Sequence, residues 1–343
     1  MCGSVRTPAG ELPRVSSALS WVDYWGIVKV RWGVGRMSYR VDPGLYALGE
    51  PDDKSPVVVT ANYKMTFDRL RDALFGRNVW ILVLDTDGIN VWCAAGKGTF
   101  GTEELVNRIH SSGLAQVVSH RTLILPQLAA PGVSAHQISA PSGFKVMYGP
   151  IRAKDLAVFF DSGLKATPEM RRKTFGLFER VALIPIELVS ALKIALILIP
   201  VLFLLSGLGG PNDFWSNAWT FGSFATEALL VAVLTGTALT PILLPWLPGR
   251  AFSLKGLSLG IVSAIALIVA RGFNLEIGSN RFELLAWLLL IPAATSYLAM
   301  NFTGASTYTS LSGVRKEMRW ALPMQIAAAF IGFSLWLTSR FIA

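Results

Sequence analysis

Cysteine is almost missing from this chain: Cys2 and Cys93 are the only two in 343 residues, beside three histidines. Two thiols so far apart build no disulfide framework, no CxxC motif and no zinc site. They are also too few for the four-thiolate ligand set of an iron–sulfur cluster. His110, His120 and His136 share no ligand spacing and are expected to be structural or exposed. Charge is scarce as well. Charged residues make up 15% and hydrophobic ones 52%, a mean hydropathy of +0.49. That is high for a soluble protein, and the apolar excess falls in the second half of the chain. The net charge of +9 does not indicate nucleic acid, because the basic residues form no stripe on one element and instead crowd before the first long apolar run. No apolar leader precedes Cys2, so neither a signal peptide nor a lipobox is expected. A cytoplasmic, reducing setting suits Cys93.

What is present gathers in residues 85–102, DTDGINVWCAAGKGTFGT. This stretch leaves an apolar run, Val79–Leu84, that reads as a buried strand, and loops at strand C-termini are where α/β folds place their chemistry. Cys93 has a bland reading, a small buried hydrophobe. Its neighbourhood favours another. If Trp92–Gly96 begins a helix, Cys93 lies in the first turn, near free N–H groups, with Lys97 on the same face. Both effects favour a thiolate that binds metal or attacks an electrophile. Asn90 and Thr60 are candidates to support it. Two nucleotide motifs are set aside. Gly96–Gly101 matches GxGxxG but stands too far from the strand end and lacks the downstream acid, and a P-loop would need Ser or Thr where Gly98 stands. Asp85 and Asp87 fit an Asx-type turn as well as an acid pair.

The first half reads as an α/β sandwich with a mainly parallel sheet, Rossmann-like in layout. Residues 1–20 are expected to be a loose arm. Ile27–Trp32 reads as a strand, turning at Gly33–Gly35 into Arg36–Val41. Val57–Val59 is a buried strand followed by Thr60 and Asn62, either ligand-facing or a strand-ending turn. Thr66–Phe75 has helical spacing with Thr66 as N-cap. A second helix covers Glu103–His110, capped by Thr102. Val117–Val118, Thr122–Leu125 and Phe144–Tyr148 are further strands, and Ala153–Phe160 a helix.

Residues 1–163 thus form one domain, 164–182 a basic hinge and 183–343 an all-α domain of five transmembrane helices. The hinge reads as an amphipathic membrane-surface segment. The apolar runs are Leu183–Leu208, Phe221–Trp246, Leu257–Val269, Leu284–Met300 and Leu322–Phe341, each near the ~20 residues that cross a bilayer; the third is short and borrows from its flanks. Basic residues in the hinge, at Arg250 and Lys255, and at Arg315, Lys316 and Arg319 place the N-terminal domain in the cytoplasm of a multi-pass inner-membrane protein, with the C-terminus outside. Arg271 and Arg281, offset by Glu276 and Glu283, are the weak point of that scheme. Glu187, Lys193 and Glu227 fall within or at the edges of spans, where snorkelling is the expected explanation.

Asn90–Lys97, NVWCAAGK, resembles the cap-helix signature of the HgcA family, membrane-bound corrinoid proteins of microbial mercury methylation. Val57–Arg71, VVVTANYKMTFDRLR, resembles the corrinoid-binding part shared with the corrinoid iron–sulfur protein of the acetyl-CoA pathway, and Arg31–Gly49 resembles the same family. The resemblance implies a corrinoid (cobalamin or a relative) held between the α/β domain and the cap helix. Thr60, Asn62, Asn90, Val91, Trp92, Cys93, Ala94, Ala95, Gly96 and Lys97 would be the binding residues, and the Cys93 thiolate the lower axial ligand to cobalt. No DxHxxG motif, the usual source of a histidine ligand, is present. It implies methyl transfer from methyl-cobalt(III) to Hg(II), giving methylmercury. It also implies a small HgcB-type ferredoxin with two [4Fe–4S] clusters as reductant and a methyltetrahydrofolate-linked methyl donor. Two other readings stay open: a membrane-bound corrinoid methyl carrier of one-carbon metabolism, and a metal or corrinoid transporter with a soluble binding module.

Overall fold

The computed structural model describes residues 2–272, 278–306 and 311–342. They divide into two compact units, Met1–Val30 with Val34–Lys173, and Arg31–Gly33 with Thr174–Ala343.

The first unit is built on two strands that read as unbroken apolar runs, β4 (Val57–Ala61) and β5 (Val79–Leu84), every residue of which is buried. Such runs suit the middle of a parallel sheet covered on both faces. They pair in parallel from Val57↔Trp80 to Ala61↔Leu84. Around them a seven-stranded sheet is completed by β1 (Gly3–Thr7), β2 (Gly10–Val15), β3 (Gly44–Leu48), β6 (Thr122–Leu125) and β7 (Lys145–Tyr148), in the order β1-β2-β3-β5-β4-β6-β7. Four neighbouring pairs are parallel; β1–β2 and β3–β5 are antiparallel. Side chains alternate across the strands. Val57, Val59 and Ala61 face one core, with α3 (Val91–Lys97), α4 (Thr102–Ser111) and α6 (Ala135–Ser142). Val58, Ile81 and Val83 face the other, with α2 (Lys64–Ala73) and α7 (Leu156–Asp161). Each fully buried aliphatic side chain such as Leu82 contributes ~1.5–3 kcal/mol.

Several expectations need correcting. Residues 1–20 are no loose arm: β1 and β2 form a hairpin in which Val5 opposes Leu12 and Arg6 opposes Glu11, and Pro13 hides that alternation from a reading by period. Ile27–Trp32 is not a strand: Ile27 to Arg31 close α1 (Trp21–Arg31), Trp32 stands in the turn after it, and Arg36–Ser38 is a single 3-10 turn. The helix signal is a capping box at Ser20 and Asp23. The Asp23 amide donates to Ser20 Oγ at 3.3 Å and the Ser20 amide to Asp23 Oδ2 at 2.9 Å, an arrangement that outweighs the β-propensity of the valines that follow. Val117 closes a short helix, α5 (Leu114–Val117), after left-handed Gly113. The helix expected from Thr66 starts at Lys64 behind Tyr63. Thr102 opens α4 rather than capping it; Gly101 stands at the N-cap.

The second unit contains five helices long and apolar enough to cross a membrane: Leu177–Ser206, Phe214–Leu243, Phe252–Arg271, Arg281–Met300 and Ser312–Thr338. The third does extend past the apolar run on both sides. The basic hinge forms no amphipathic helix. Its only helical turn is Leu177–Val181, while Met170 accepts a backbone hydrogen bond from Ile151 inside the first unit. The second span carries two π-helical turns, Ala218–Gly222 and Thr235–Leu239. The third packs on the fourth through bare backbone: a Cβ added at Gly260 would stand 2.7 Å from Pro292 Cα, and one at Gly256 2.8 Å from Thr295 O. Close approach through small residues is how helices associate where no hydrophobic difference exists between protein and solvent. Lys193 and Glu227 are exposed on the bundle surface and Glu187 half-buried. Glu283 is instead buried against Arg340; Glu276 lies outside the described residues.

Candidate functional site

The loop from β5 into α3 is organised by one buried amide. Asn62, directly after β4, is 1% exposed. Its Nδ2 donates to Asp85 Oδ1 at 2.9 Å. Its Oδ1 accepts from the Thr86 amide at 3.1 Å, the Thr86 hydroxyl at 2.8 Å and the Gly88 amide at 3.0 Å. The Asp87 amide donates to Asp85 Oδ1 at 3.1 Å, so the two acids do form an Asx-type turn. The next turn is closed from the Ile89 amide to Thr86 O at 3.0 Å. Its central residues, Asp87 and Gly88, have φ of 56° and 70°, the left-handed pair that Asp-Gly tolerates best. From the far side, Glu104 on α4 accepts the Asp85 amide at 2.8 Å and is held by Arg108.

This loop delivers the chain to Asn90 in an extended conformation, and Asn90 caps α3 by accepting the Cys93 amide at 2.9 Å. The cap satisfies one of the free N–H groups of the first turn. Over its seven residues α3 has two sides. Val91, Ala94 and Ala95 are buried in the core beneath it, while Cys93, Gly96 and Lys97 face outward and Trp92 is half-buried. Gly98 ends the helix at φ 88°. Gly132 fits tightly against the inner side, where a Cβ would lie 2.9 Å from Ala95 Cα. Outward there is space: a Cβ at Gly96 meets nothing within 4 Å. The result is an exposed thiol on a short helix whose inner side is locked, beside bare backbone at the i+3 position.

The predicted residues therefore separate. Asn90 to Lys97 come together on α3. Asn62 orders the loop leading there. Thr60 does not join them. It is 3% exposed and shares the strand parity of Val58, so it points to the α2 side of the sheet, opposite α3. His110 and His120 meet the carbonyls of Pro141 and Ser55, at 3.0 and 2.9 Å. Among the described residues no three His, Cys, Asp or Glu side chains are grouped to hold a metal ion.

A polar cleft on the α2 side has no counterpart in the sequence reading. About 620 Å³ in volume, it is lined by Arg40, Asp42, Tyr46 and the ion-paired Asp23, Lys64, Asp68 and Arg71. Lys64 bridges Asp23 and Asp68, both at 2.7 Å, and Arg71 bridges them at 2.8 and 2.9 Å. Burial opposes the charge on Asp23, but hydrogen bonds from Lys64, Ser20 and Arg71 outweigh it and hold the carboxyl well below its ordinary range. The i, i+4 spacing of Lys64 and Asp68 was a visible signal; the reach of Asp23 was not.

Residues 33–159, which include all of these positions except Ser20 and Asp23, match the family model described as CO dehydrogenase/acetyl-CoA synthase delta subunit. Over 97 residues the chain is 41% identical to the acetyl-CoA decarbonylase/synthase complex subunit gamma of Methanocaldococcus jannaschii, covering 28% of this chain and 20% of that protein. The gamma subunit of Methanopyrus kandleri is 32% identical over 128 residues, 37% of this chain and 27% of the other. That of Methanothermobacter thermautotrophicus is 30% identical over 151 residues, 42% and 32%. The chain thus spans between a fifth and a third of the length of these relatives.

Proposed function

We propose that this chain is a membrane-anchored corrinoid protein that transfers a methyl group to Hg(II), with the Cys93 thiolate as the lower ligand to cobalt. The observation that carries this reading is the outward side of α3. Cys93 is exposed there, Gly96 leaves open backbone beside it, and the inner residues Val91, Ala94 and Ala95 are packed so that the thiol is held on a rigid support. These residues fit a flat macrocycle bearing its own metal: one protein donor is offered, with room around it. When bound, the corrinoid supplies a cobalt-carried methyl group, and a soft anionic ligand increases the electron density available to it.

The chain's own part is to hold and orient. Asn90 fixes the first turn of α3 by binding the Cys93 amide, and Asn62 fixes the loop before it. Trp92 and Lys97 flank the thiol. Hg(II) as substrate is a soft acceptor that suits a methyl group leaving with electron density, which an amine or thiol acceptor does not need. Cys2 and Cys93 cannot themselves hold a cluster, so reducing equivalents are assigned to a ferredoxin of the HgcB type with two [4Fe–4S] clusters, and the methyl group to a methyltetrahydrofolate-linked donor. The five long helices are assigned to the cytoplasmic membrane, with the first unit on the cytoplasmic side.

A second reading is favoured by the relatives' names: a methyl carrier serving acetyl-CoA chemistry, using the same cofactor and a different acceptor. One experiment separates them. The full-length chain in detergent, wild type and Cys93→Ala, is loaded with methylcobalamin and its absorption spectrum recorded; Hg(II) is then added and methylmercury measured. A thiolate-dependent spectrum with methylmercury from the wild type alone supports the first reading. A thiolate-dependent spectrum without methylmercury favours the second. No bound corrinoid in either protein refutes both.

A further inference from the structure

The helix α1 presents an apolar side that its own unit leaves uncovered. The inner side is set by Ile27 and Val30, 6% and 1% exposed, and by Asp23 in its ion pairs. On the opposite side Trp21, Tyr24, Trp25 and Val28 follow i, i+3, i+4, i+7 spacing, which aligns side chains along one stripe. They are 80%, 50%, 52% and 42% exposed. Val22 lies beside them, and Val34 and Met37 follow in the next loop, all exposed. Elsewhere among the described residues of this unit, only Phe75 and Val158 are large exposed apolar side chains. An apolar patch so confined, with two Trp and a Tyr in it, marks an interaction surface.

We propose that this side of α1 lies in the surface of a lipid bilayer containing anionic headgroups, with Trp21, Tyr24, Trp25 and Val28 at the boundary between headgroups and acyl chains. Three observations select lipid over a protein. The rings are Trp and Tyr, whose apolar bodies and polar tips favour that boundary. The flanking charge is basic: Lys29, with its ammonium 5.9 Å from the centre of the Trp25 ring, then Arg36 in the turn that follows. The single acid of the helix, Asp23, faces inward and is neutralised by Lys64 and Arg71. Finally, the chain runs on from this unit after Lys173 into five membrane-length helices, so connectivity alone keeps a bilayer nearby. The proposal rests on the reading that those helices span a membrane. A helix lying in the interface beds its outward apolar side roughly 5–10 Å deep.

The test uses the full-length chain with both native cysteines replaced (Cys2→Ser, Cys93→Ser), carrying one nitroxide label at Val28→Cys or, independently, Trp21→Cys. Phe75→Cys serves as the aqueous control and Ile197→Cys, on the surface of the first span, as the lipid control. Each is reconstituted into phosphatidylcholine–phosphatidylglycerol vesicles, and relaxation by oxygen and by an aqueous nickel chelate is compared. The expected result is that labels at 21 and 28 favour oxygen, at a shallower depth than 197, while 75 favours nickel. Nickel access at 21 and 28 equal to that at 75 overturns the proposal. Shielding from both reagents means a protein covers the helix, and spin–spin broadening means a second copy does; either overturns it as well. If 197 itself reports water, the membrane-spanning reading fails and takes the proposal with it, whereas failure at 21 and 28 alone leaves that reading standing.

Discussion

Replacing Asn62 by alanine should loosen the loop that carries Cys93 before anything binds there. The side chain is 1% exposed and its oxygen accepts from two amides and a hydroxyl, while its nitrogen donates to Asp85. Removal strands those donors unequally. The Thr86 hydroxyl keeps the Ile89 carbonyl at 2.7 Å. Gly88 is half-buried and its amide can turn to water. The Thr86 amide belongs to a residue with no exposed surface and bears the desolvation cost in full, about 1–3 kcal/mol. A net loss of about 2 kcal/mol in local stability corresponds to roughly thirtyfold faster amide exchange in residues 85–92. Hydrogen exchange of the full-length chain without added corrinoid measures this directly, with residues 79–84 of β5 as the internal reference. Unchanged exchange in Asn62→Ala, combined with weakened corrinoid binding, would refute the reasoning: Asn62 would then act by touching a ligand and not by ordering the loop.

Other outcomes follow from the same structure. Glu283→Ala leaves the Arg340 guanidinium, 3% exposed, without its buried carboxylate. A loss of about 3–5 kcal/mol is expected, read as a lower thermal midpoint of the detergent-solubilised protein; an unshifted midpoint would show the pair to be dispensable. Gly260→Leu drives a side chain into the Pro292 backbone and should separate the third and fourth spans, which cross-linking between them would report. Acid should weaken the first unit through Asp23. Its carboxyl is held below the ordinary range when folded, so its stabilisation is complete above the unfolded value of about 3.9 and is lost as pH falls below it. Asp23→Asn should flatten the fall in stability below about pH 4 in an acid titration followed by tryptophan fluorescence; an unchanged slope would assign acid lability elsewhere.

Much of this molecule is legible in one dimension because its signals are local. The unbroken apolar runs Val57–Val59 and Val79–Leu84 read as buried strands, and they are. The five long helices follow from hydropathy and length, since a bilayer core leaves the backbone no partner except itself. Cys93 in the first turn of α3 follows from the spacing of a few residues, while Asn90, read as a support for the thiol, gives that support as the cap of the helix. What the sequence left undecided depends on groups distant along the chain. Ile27–Trp32 reads as a strand, yet Ile27 and Val30 are buried on one side of α1, and that burial outweighs β-branched propensity. Thr60 and Asn62 stand two residues apart and looked equivalent. Strand alternation turns Thr60 toward α2, while the end of β4 frees Asn62 to reach Asp85, Thr86 and Gly88. The ion pairs of Asp23 with Lys64 and Arg71, and of Glu283 with Arg340, likewise join residues 41 to 57 positions apart. Periodicity tells which side of an element is apolar; only the assembled fold tells which apolar side remains uncovered, and on α1 that is the side bearing Trp21, Tyr24, Trp25 and Val28.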